Sequence, residues 1–209
     1  MRYKLTAATV LAGVAVPGLA YAHHPMGGAT PNTFMEGLLS GIGHPIIGID
    51  HLAFVILVGL AAVFLTRKYM APLAFILGTV AGCLLIANGA SLPFAELVIT
   101  GSVILLGALV MSGRKIPSSL YVAIFAIAGL FHGGAYGEAI VGAENTALAA
   151  YLIGFAAIQY SIALGAGFVA EKLWHATEAA ATKPRIAGAV AAGVGIAFFV
   201  ENVEGMIFS

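Results

Sequence analysis

Long runs of apolar residues dominate the chain, and short segments carrying most of the polar side chains separate them. Crossing a bilayer takes about 20 apolar residues in a helix. Six runs approach that length and predict six transmembrane helices. Their approximate bounds are 45–66, 69–89, 94–113, 116–136, 147–170 and 186–207. The predicted fold class is an all-α polytopic membrane protein.

The beginning of the chain has the pattern of a targeting signal. Arg2 and Lys4 precede a short apolar run, which a proline and a glycine interrupt, and the small-residue sequence A-Y-A follows at 20–22. We therefore predict a cleaved signal peptide at 1–22 and a six-helix domain at 23–209. A further transmembrane helix at the beginning is the alternative.

Basic residues occur only on alternate connections between the predicted spans. Beyond the signal peptide they follow the first, third and fifth spans, as Arg67, Lys68, Arg114, Lys115, Lys172, Lys183 and Arg185. Cytoplasmic loops of membrane proteins carry an excess of Lys and Arg. Six spans with both mature termini in the periplasm satisfy this rule, so we predict a multi-pass protein of the bacterial inner membrane.

Composition agrees with a lipid environment and excludes several functions. The chain is 61% hydrophobic and 9% charged, whereas soluble domains carry about 25% charged residues. Its formal net charge is zero and no basic patch is present, which excludes a nucleic-acid partner. The sequence has no phosphate-binding GxxxxGK[ST] motif, so it carries no ATP motor of its own.

Ionisable residues open the first predicted span, in "HPIIGIDH" at 44–51. His44, Asp50 and His51 form a nitrogen and oxygen ligand set that suits Ni²⁺, Co²⁺, Zn²⁺ or Cu²⁺. In a regular helix the two histidines would lie about 10 Å apart along the axis. Either Pro45 starts the helix and Gly48 lets His44 fold back towards His51, or the histidines form successive stations for a moving ion.

A second group closes the fourth predicted span, in "FHGGAYGE" at 131–138. Glycine and alanine between His132 and Glu138 would let this segment approach the first group closely, and both residues are candidate ligands. Four weaker candidates complete the set, and they are His23, His24, Glu201 and Glu204.

The signal peptide and these two motifs resemble the HupE/UreJ family, which comprises hydrogenase- and urease-associated membrane proteins regarded as nickel or cobalt transporters. The resemblance covers the whole chain. It implies that metal-associated positions fall on His44, Asp50, His51, His132 and Glu138. The second motif departs from the usual family pattern, which has a histidine where Tyr136 stands and a glutamate shifted by one residue.

These features predict a secondary permease or channel for a divalent transition-metal ion, most favourably Ni²⁺ or Co²⁺, with Zn²⁺ or Cu²⁺ as alternatives. Its entrance would lie at the periplasmic ends of spans one and four, and the protein would not be an enzyme. Two other functions fit the same residues. One is an intramembrane zinc hydrolase, and the other is a non-catalytic subunit of a larger membrane complex or a homo-oligomer.

Overall fold

The structure, a computed structural model, describes residues 30–208, and every regular element in that range is a helix. The helices are α1 (Phe34–Ile47), α2 (Ile49–Ala62), α3 (Ala71–Ala87), α4 (Ala95–Ser112), α5 (Ser118–Glu138), α6 (Asn145–Phe168) and α7 (Thr182–Phe208). A π-helical turn at Val169–Leu173 extends α6. The prediction of an all-helical protein is confirmed. The predicted signal peptide, His23 and His24 lie outside the described residues.

Most of these helices have the dimensions of membrane spans. Four are long and apolar enough to cross a bilayer: α4, α5, α7, and α6 together with its π-helical turn. The pair α1–α2 meets the same criterion as a unit, although its halves are bent by 84°. With 17 residues, α3 is apolar but shorter. The chain is therefore a multi-pass membrane protein with four or five candidate spans in the described residues.

The helix α1 starts well before the predicted first span. Thr33 Oγ1 accepts a hydrogen bond from the Glu36 N–H, and the Glu36 carboxylate accepts one from the Thr33 N–H, both at 3.2 Å. This capping box starts the helix at Phe34. The prediction that Pro45 begins the helix and that His44 precedes it is wrong, since both residues lie inside α1 near its carboxyl end.

Gly48 divides the predicted first span into α1 and α2. Its backbone is extended, with φ −76° and ψ 104°, and interrupts the helix for one residue. Both halves run in the same direction along α6, because Gly37 of α1 packs on Ala147 and Gly59 of α2 packs on Ala163 further along. The pair is therefore a broken span rather than a helical hairpin.

Glycines allow three pairs of helices to approach closely: α1 with α6, α3 with α5, and α4 with α7. A Cβ atom added at Gly41 would overlap the carbonyl oxygen of Tyr151, and one at Gly82 would overlap that of Leu130. In the third pair, a Cβ at Gly107 would lie 2.8 Å from backbone atoms of α7. Small residues at such interfaces let helix backbones pack tightly within a membrane.

The helix α2 lies at the centre and contacts at least one member of each pair. Its residues Phe54, Val55, Leu57 and Val58 have no exposed surface. A helix that is apolar on all sides is stable only where other helices enclose it or lipid surrounds it. Here the enclosure is protein, so the first turn of α2 is held inside the bundle.

The basic connections meet at one end of the bundle. Lys68, Arg114 and Lys115 come from two different connections and line a common open cavity of about 750 Å³, together with Glu171. Lys68 pairs with Glu171, and the hydrogen bond to that carboxylate raises the pKa of the Lys68 ammonium. Two of the basic connections therefore lie close together at this end.

Candidate metal centre

The break between α1 and α2 brings three ionisable side chains into the bundle beside a fourth. His44 comes from the last turn of α1, Asp50 and His51 from the first turn of α2, and His132 from α5. All four are buried, and His132 has no exposed surface. Ionisable groups within membrane helices are costly to bury and usually mark function. The structure thus places these residues at an internal helix break rather than at the beginning of a span.

Asp50 fixes the orientation of the neighbouring imidazole. His51 Nδ1 lies 2.9 Å from Asp50 Oδ1. An ionised carboxylate can only accept, so Nδ1 carries the hydrogen and Nε2 of His51 carries the lone pair. Carboxylate–histidine pairs of this type orient metal-binding imidazoles in many proteins. Asp50 also gives the group its negative charge, which the amino end of α2 stabilises.

Ser102 of α4 fixes the tautomer of His132. The Ser102 hydroxyl donates to the Ile99 carbonyl at 2.6 Å and lies 3.0 Å from His132 Nε2. Because a hydroxyl has one hydrogen, Ser102 can only accept from His132, and Nε2 must be the protonated nitrogen. His132 Nδ1 then carries the lone pair, and this buried atom has no hydrogen-bond partner in the structure.

Tyr151 of α6 acts on His44 in the same way. Its hydroxyl donates to the Tyr136 carbonyl at 3.2 Å and lies 2.8 Å from His44 Nδ1. The phenol has one hydrogen, so His44 Nδ1 is the donor and Nε2 carries the lone pair. Each of the three histidines therefore has one nitrogen held by a neighbouring oxygen, which leaves its other nitrogen to bind a metal when the imidazole is neutral. Neutral imidazole is the form that binds transition metals.

The side chain of Tyr136 stands between His44 and His51. Its ring centroid is 4.8 Å from that of His44 and 4.5 Å from that of His51, with edge-to-face geometry in both cases. On the other side of His51, the His132 ring is 4.8 Å away. Phe54 packs against His132 at 4.5 Å. The imidazoles thus form a row in which an aromatic ring separates the first from the other two.

The structure does not gather the candidate ligands around one point. Within residues 30–208, no group of three His, Cys, Asp or Glu side chains is arranged to hold a single ion. The helix break brings His44 and His51 into contact with the same ring, that of Tyr136. Tyr136 stands between the two imidazole rings. The geometry therefore favours successive stations over one shared site.

The carboxylates predicted outside the first motif lie away from this buried row. Glu138 is the last residue of α5 and is exposed, two turns beyond His132. Glu201 and Glu204 are exposed near the end of α7. The sequence did not indicate whether these three glutamates would be buried. Each helix segment has an apolar face that packs inward, and the glutamates lie on its other side.

Sequence reasoning missed the two residues that position imidazoles, Ser102 and Tyr151, and it noted Tyr136 only as a departure from the family pattern. Each lies in an apolar run on a helix far from its histidine in sequence. A polar side chain inside a predicted span was the one available signal for Ser102. The identity of its partner depends on how α4 packs against α5, which the sequence pattern does not specify.

A bundle of apolar helices with a broken span and a buried row of histidines defines a polytopic membrane protein. The profile of the family described as HupE / UreJ protein matches residues 10–198. The chain is also 32% identical to Protein HupE of Rhizobium leguminosarum bv. viciae over 204 residues, which cover 96% of this chain and all of that protein. No solved structure matches the chain. The chain belongs to the HupE/UreJ family.

Proposed function

We propose that the protein is an ATP-independent permease for a divalent transition-metal ion, with Ni²⁺ or Co²⁺ as the favoured substrate. The observation that carries the proposal is the lone pair of His132 Nδ1, which is fully buried and unpartnered beside the His51 ring. An unsatisfied buried acceptor costs about 1–3 kcal/mol. A bound cation would remove that cost.

The small number of protein ligands favours passage over permanent binding. His51 and His132 would hold an ion together, with water completing its coordination shell, and His44 would form an outer station beyond Tyr136. Conduction requires binding that is strong enough for the ion to enter and weak enough for it to leave. Stations of one or two imidazoles, with the charge of Asp50 beside them, meet this requirement.

The broken span supplies the polar backbone that such a route needs. Transporters place binding sites at discontinuous helices, where free helix ends face the substrate. The carboxyl end of α1 presents carbonyl groups and the negative end of its dipole beside His44, which favours a cation. Asp50 offsets the positive end of α2.

We further propose six spans, with α1 and α2 counted together and both ends of 23–209 in the periplasm. The 17 residues of α3 fall within the accepted range for a span, which begins at about 17. The meeting of three basic connections at one end of the bundle supports this topology, with that end in the cytoplasm. The predicted signal peptide remains part of the proposal.

The nickel and cobalt preference is supported by the family and by the donor atoms. The HupE/UreJ family is associated with nickel and cobalt accessory or transport roles. Imidazole and carboxylate donors without thiolate suit these ions, although Zn²⁺ and Cu²⁺ accept the same donors. The zinc hydrolase interpretation is less well supported, since catalytic zinc takes three protein ligands and Tyr136 stands between two of the three histidines.

Uptake into proteoliposomes containing a metal-sensitive dye tests this function. We expect the wild-type protein to admit Ni²⁺ or Co²⁺, and an Asp50→Ala plus His51→Ala variant to be slower by more than about tenfold, because both a ligand and its orienting carboxylate are lost. A Glu144→Ala plus Asn145→Ala variant, altered at exposed positions at the start of α6, is the matched control.

Unchanged uptake of Ni²⁺, Co²⁺, Cu²⁺ and Zn²⁺ in the first variant would contradict the permease. No uptake by the wild-type protein alone, combined with co-purification in a fixed ratio with other membrane proteins, would favour a non-catalytic subunit.

A further inference from the structure

One face of α6 connects the histidine row with the opposite end of the bundle. Its buried positions recur every four residues, at Tyr151, Phe155, Gln159 and Ala163. Residues four apart lie above one another on a helix. Tyr151 contacts His44, and Phe155 packs on Tyr136 with ring centroids 4.7 Å apart. Gln159 is therefore the next position inward along the same face.

Gln159 has an unsatisfied amide in the middle of this face. Its side chain has no exposed surface, and its amide nitrogen has no hydrogen-bond partner among residues 30–208. Thr79 of α3 is its one hydrogen-bonding neighbour, with 3.1 Å between Thr79 Oγ1 and Gln159 Oε1. A buried amide left half-paired is costly in hydrocarbon surroundings, which argues for a use beyond holding two helices together.

The hydrogen bonds available to Thr79 allow the unpaired atom of the Gln159 amide to be its oxygen. Thr79 Oγ1 also lies 2.8 Å from the Ile76 carbonyl, and its one hydrogen can serve only one of the two acceptors. When it donates to Ile76, a half-turn of the Gln159 amide lets Nε2 donate to Thr79. Oε1 is then the unpaired atom, and an amide oxygen is a suitable partner for a metal ion or its water shell.

The same face of α6 ends in a cavity at the basic end of the bundle. A space of about 230 Å³ between α2, α3 and α6 is lined by Ala163 and Gly167, the next two positions along the face, and by Glu171 with Lys68. On the side of Gln159 nearer the histidine row, Gly133 of α5 packs on Thr79, and Gly133 directly follows His132. Gln159 thus shares a layer of the bundle with His132 and lies one turn from the cavity.

We propose that Gln159 is a polar station on the ion route, between the histidine row and the Glu171 cavity, and that its side-chain amide coordinates the ion or its water. This inference rests on the proposed permease function. Apart from Thr79, whose hydroxyl is already engaged with Ile76 or Gln159, the buried side chains around Gln159 on α6 are apolar. Gln159 lowers the barrier in that region because it replaces part of the hydration shell.

The experiment compares initial Ni²⁺ uptake into proteoliposomes with Ni²⁺ binding by equilibrium dialysis. Gln159→Met keeps the length of the side chain and removes the amide. We expect uptake to fall about tenfold or more, as for loss of one polar contact to a charged group, while Ni²⁺ affinity at the histidine row is unchanged. Ser161→Ala, at an exposed position of α6, is the control with wild-type uptake.

Thr79→Val separates this role from simple helix packing. It removes the bond between α3 and α6 but leaves the Gln159 amide. A packing role predicts equal losses of uptake and of thermal stability in Thr79→Val and Gln159→Met, and that result would overturn the proposal. A much larger loss of uptake in Gln159→Met than in Thr79→Val supports it.

A second substitution at the same position tests the proposal if the Gln159→Met protein does not fold. Gln159→Glu retains hydrogen bonding and adds charge, so we expect more Ni²⁺ bound per chain and slower uptake. Wild-type binding and uptake in Gln159→Glu would overturn the proposal. If the wild-type protein and Gln159→Met take up Ni²⁺ at the same rate, the role of Gln159 is rejected and the permease function stands. If the wild-type protein takes up no Ni²⁺, both proposals are rejected.

Discussion

His132 donates from Nε2 to the hydroxyl of Ser102, 3.0 Å away, because that hydroxyl donates its own hydrogen to the Ile99 carbonyl. This single contact decides which nitrogen of a fully buried histidine carries the hydrogen. The same logic holds for Asp50 with His51 and for Tyr151 with His44. Positioning residues on three helices thus each hold one nitrogen of an imidazole, as second-shell partners of metal-binding histidines do.

Ser102→Ala is expected to weaken metal binding without removing a ligand. The alanine leaves His132 Nε2 without its acceptor, so the imidazole loses its fixed tautomer and orientation. Loss of such a supporting contact typically reduces metal affinity about 10- to 100-fold. Equilibrium dialysis with Ni²⁺ or Co²⁺ measures the change. Ser112→Ala, an exposed serine at the end of the same helix, should bind as the wild type does, and equal affinities in both variants would contradict the role of Ser102.

The sequence pattern predicted the histidine row better than it predicted the helices that carry it. His44, Asp50, His51 and His132 stood out because ionisable residues are rare in apolar runs, and the structure places these four close together. The helix start was wrong although a readable signal was present. Thr33 and Glu36 have the spacing of a capping box, and that signal outweighs a proline further along the chain.

Other features could not be predicted because they depend on contacts between helices. Gly48 is one of many glycines in the chain, and nothing local distinguishes a glycine that breaks a helix from one that packs against a neighbour. Tyr136 was distinguished only by its departure from the family pattern, and nothing local indicated which side chains it contacts. Its position between His44 and His51 follows from the 84° bend of the broken span and the packing of α5.

Tyr136→His is expected to convert the separate stations at His44 and His51 into one shared metal site. An imidazole at this position would lie between His44 and His51, so one ion gains a third nitrogen ligand. We expect Ni²⁺ affinity to rise about tenfold or more, as for one added ligand contact to a charged ion, and release into proteoliposomes to slow. Tyr136→Phe is the control, because it keeps the ring and removes only a buried hydroxyl that has no partner. Weaker binding in Tyr136→His than in Tyr136→Phe would contradict this geometry.

Metal binding and uptake should both decline as the pH is lowered from about 7.5 to about 5.5, since protons compete with the metal for the lone pairs of the imidazoles. The sign follows from the tautomers: each histidine already donates through one nitrogen, so an added proton occupies the nitrogen that would bind the ion. Uptake is measured with equal pH on both sides of the vesicle, which removes any proton gradient. Affinity that increases towards acid pH would contradict imidazole ligands.

The packing of α3 against α5 holds His132 and Thr79 in one layer, and a single glycine tests it. A Cβ atom on Gly133 would overlap the carbonyl oxygen of Thr79, and backbone atoms cannot move aside as a flexible side chain can. Overpacking of this kind costs about 1–3 kcal/mol, or a fall in the unfolding temperature of about 2–12 °C for a chain of this size. Gly101→Ala is the matched control, because a Cβ there meets no atom within 4 Å and alanine favours a helix by about 1 kcal/mol over glycine.

Thermal unfolding in detergent should therefore separate the two variants. Gly133→Ala is expected to show a lowered midpoint and impaired Ni²⁺ binding, and Gly101→Ala to show neither defect. Equal midpoints for the two variants would mean that α3 and α5 do not pack as closely as the structure places them.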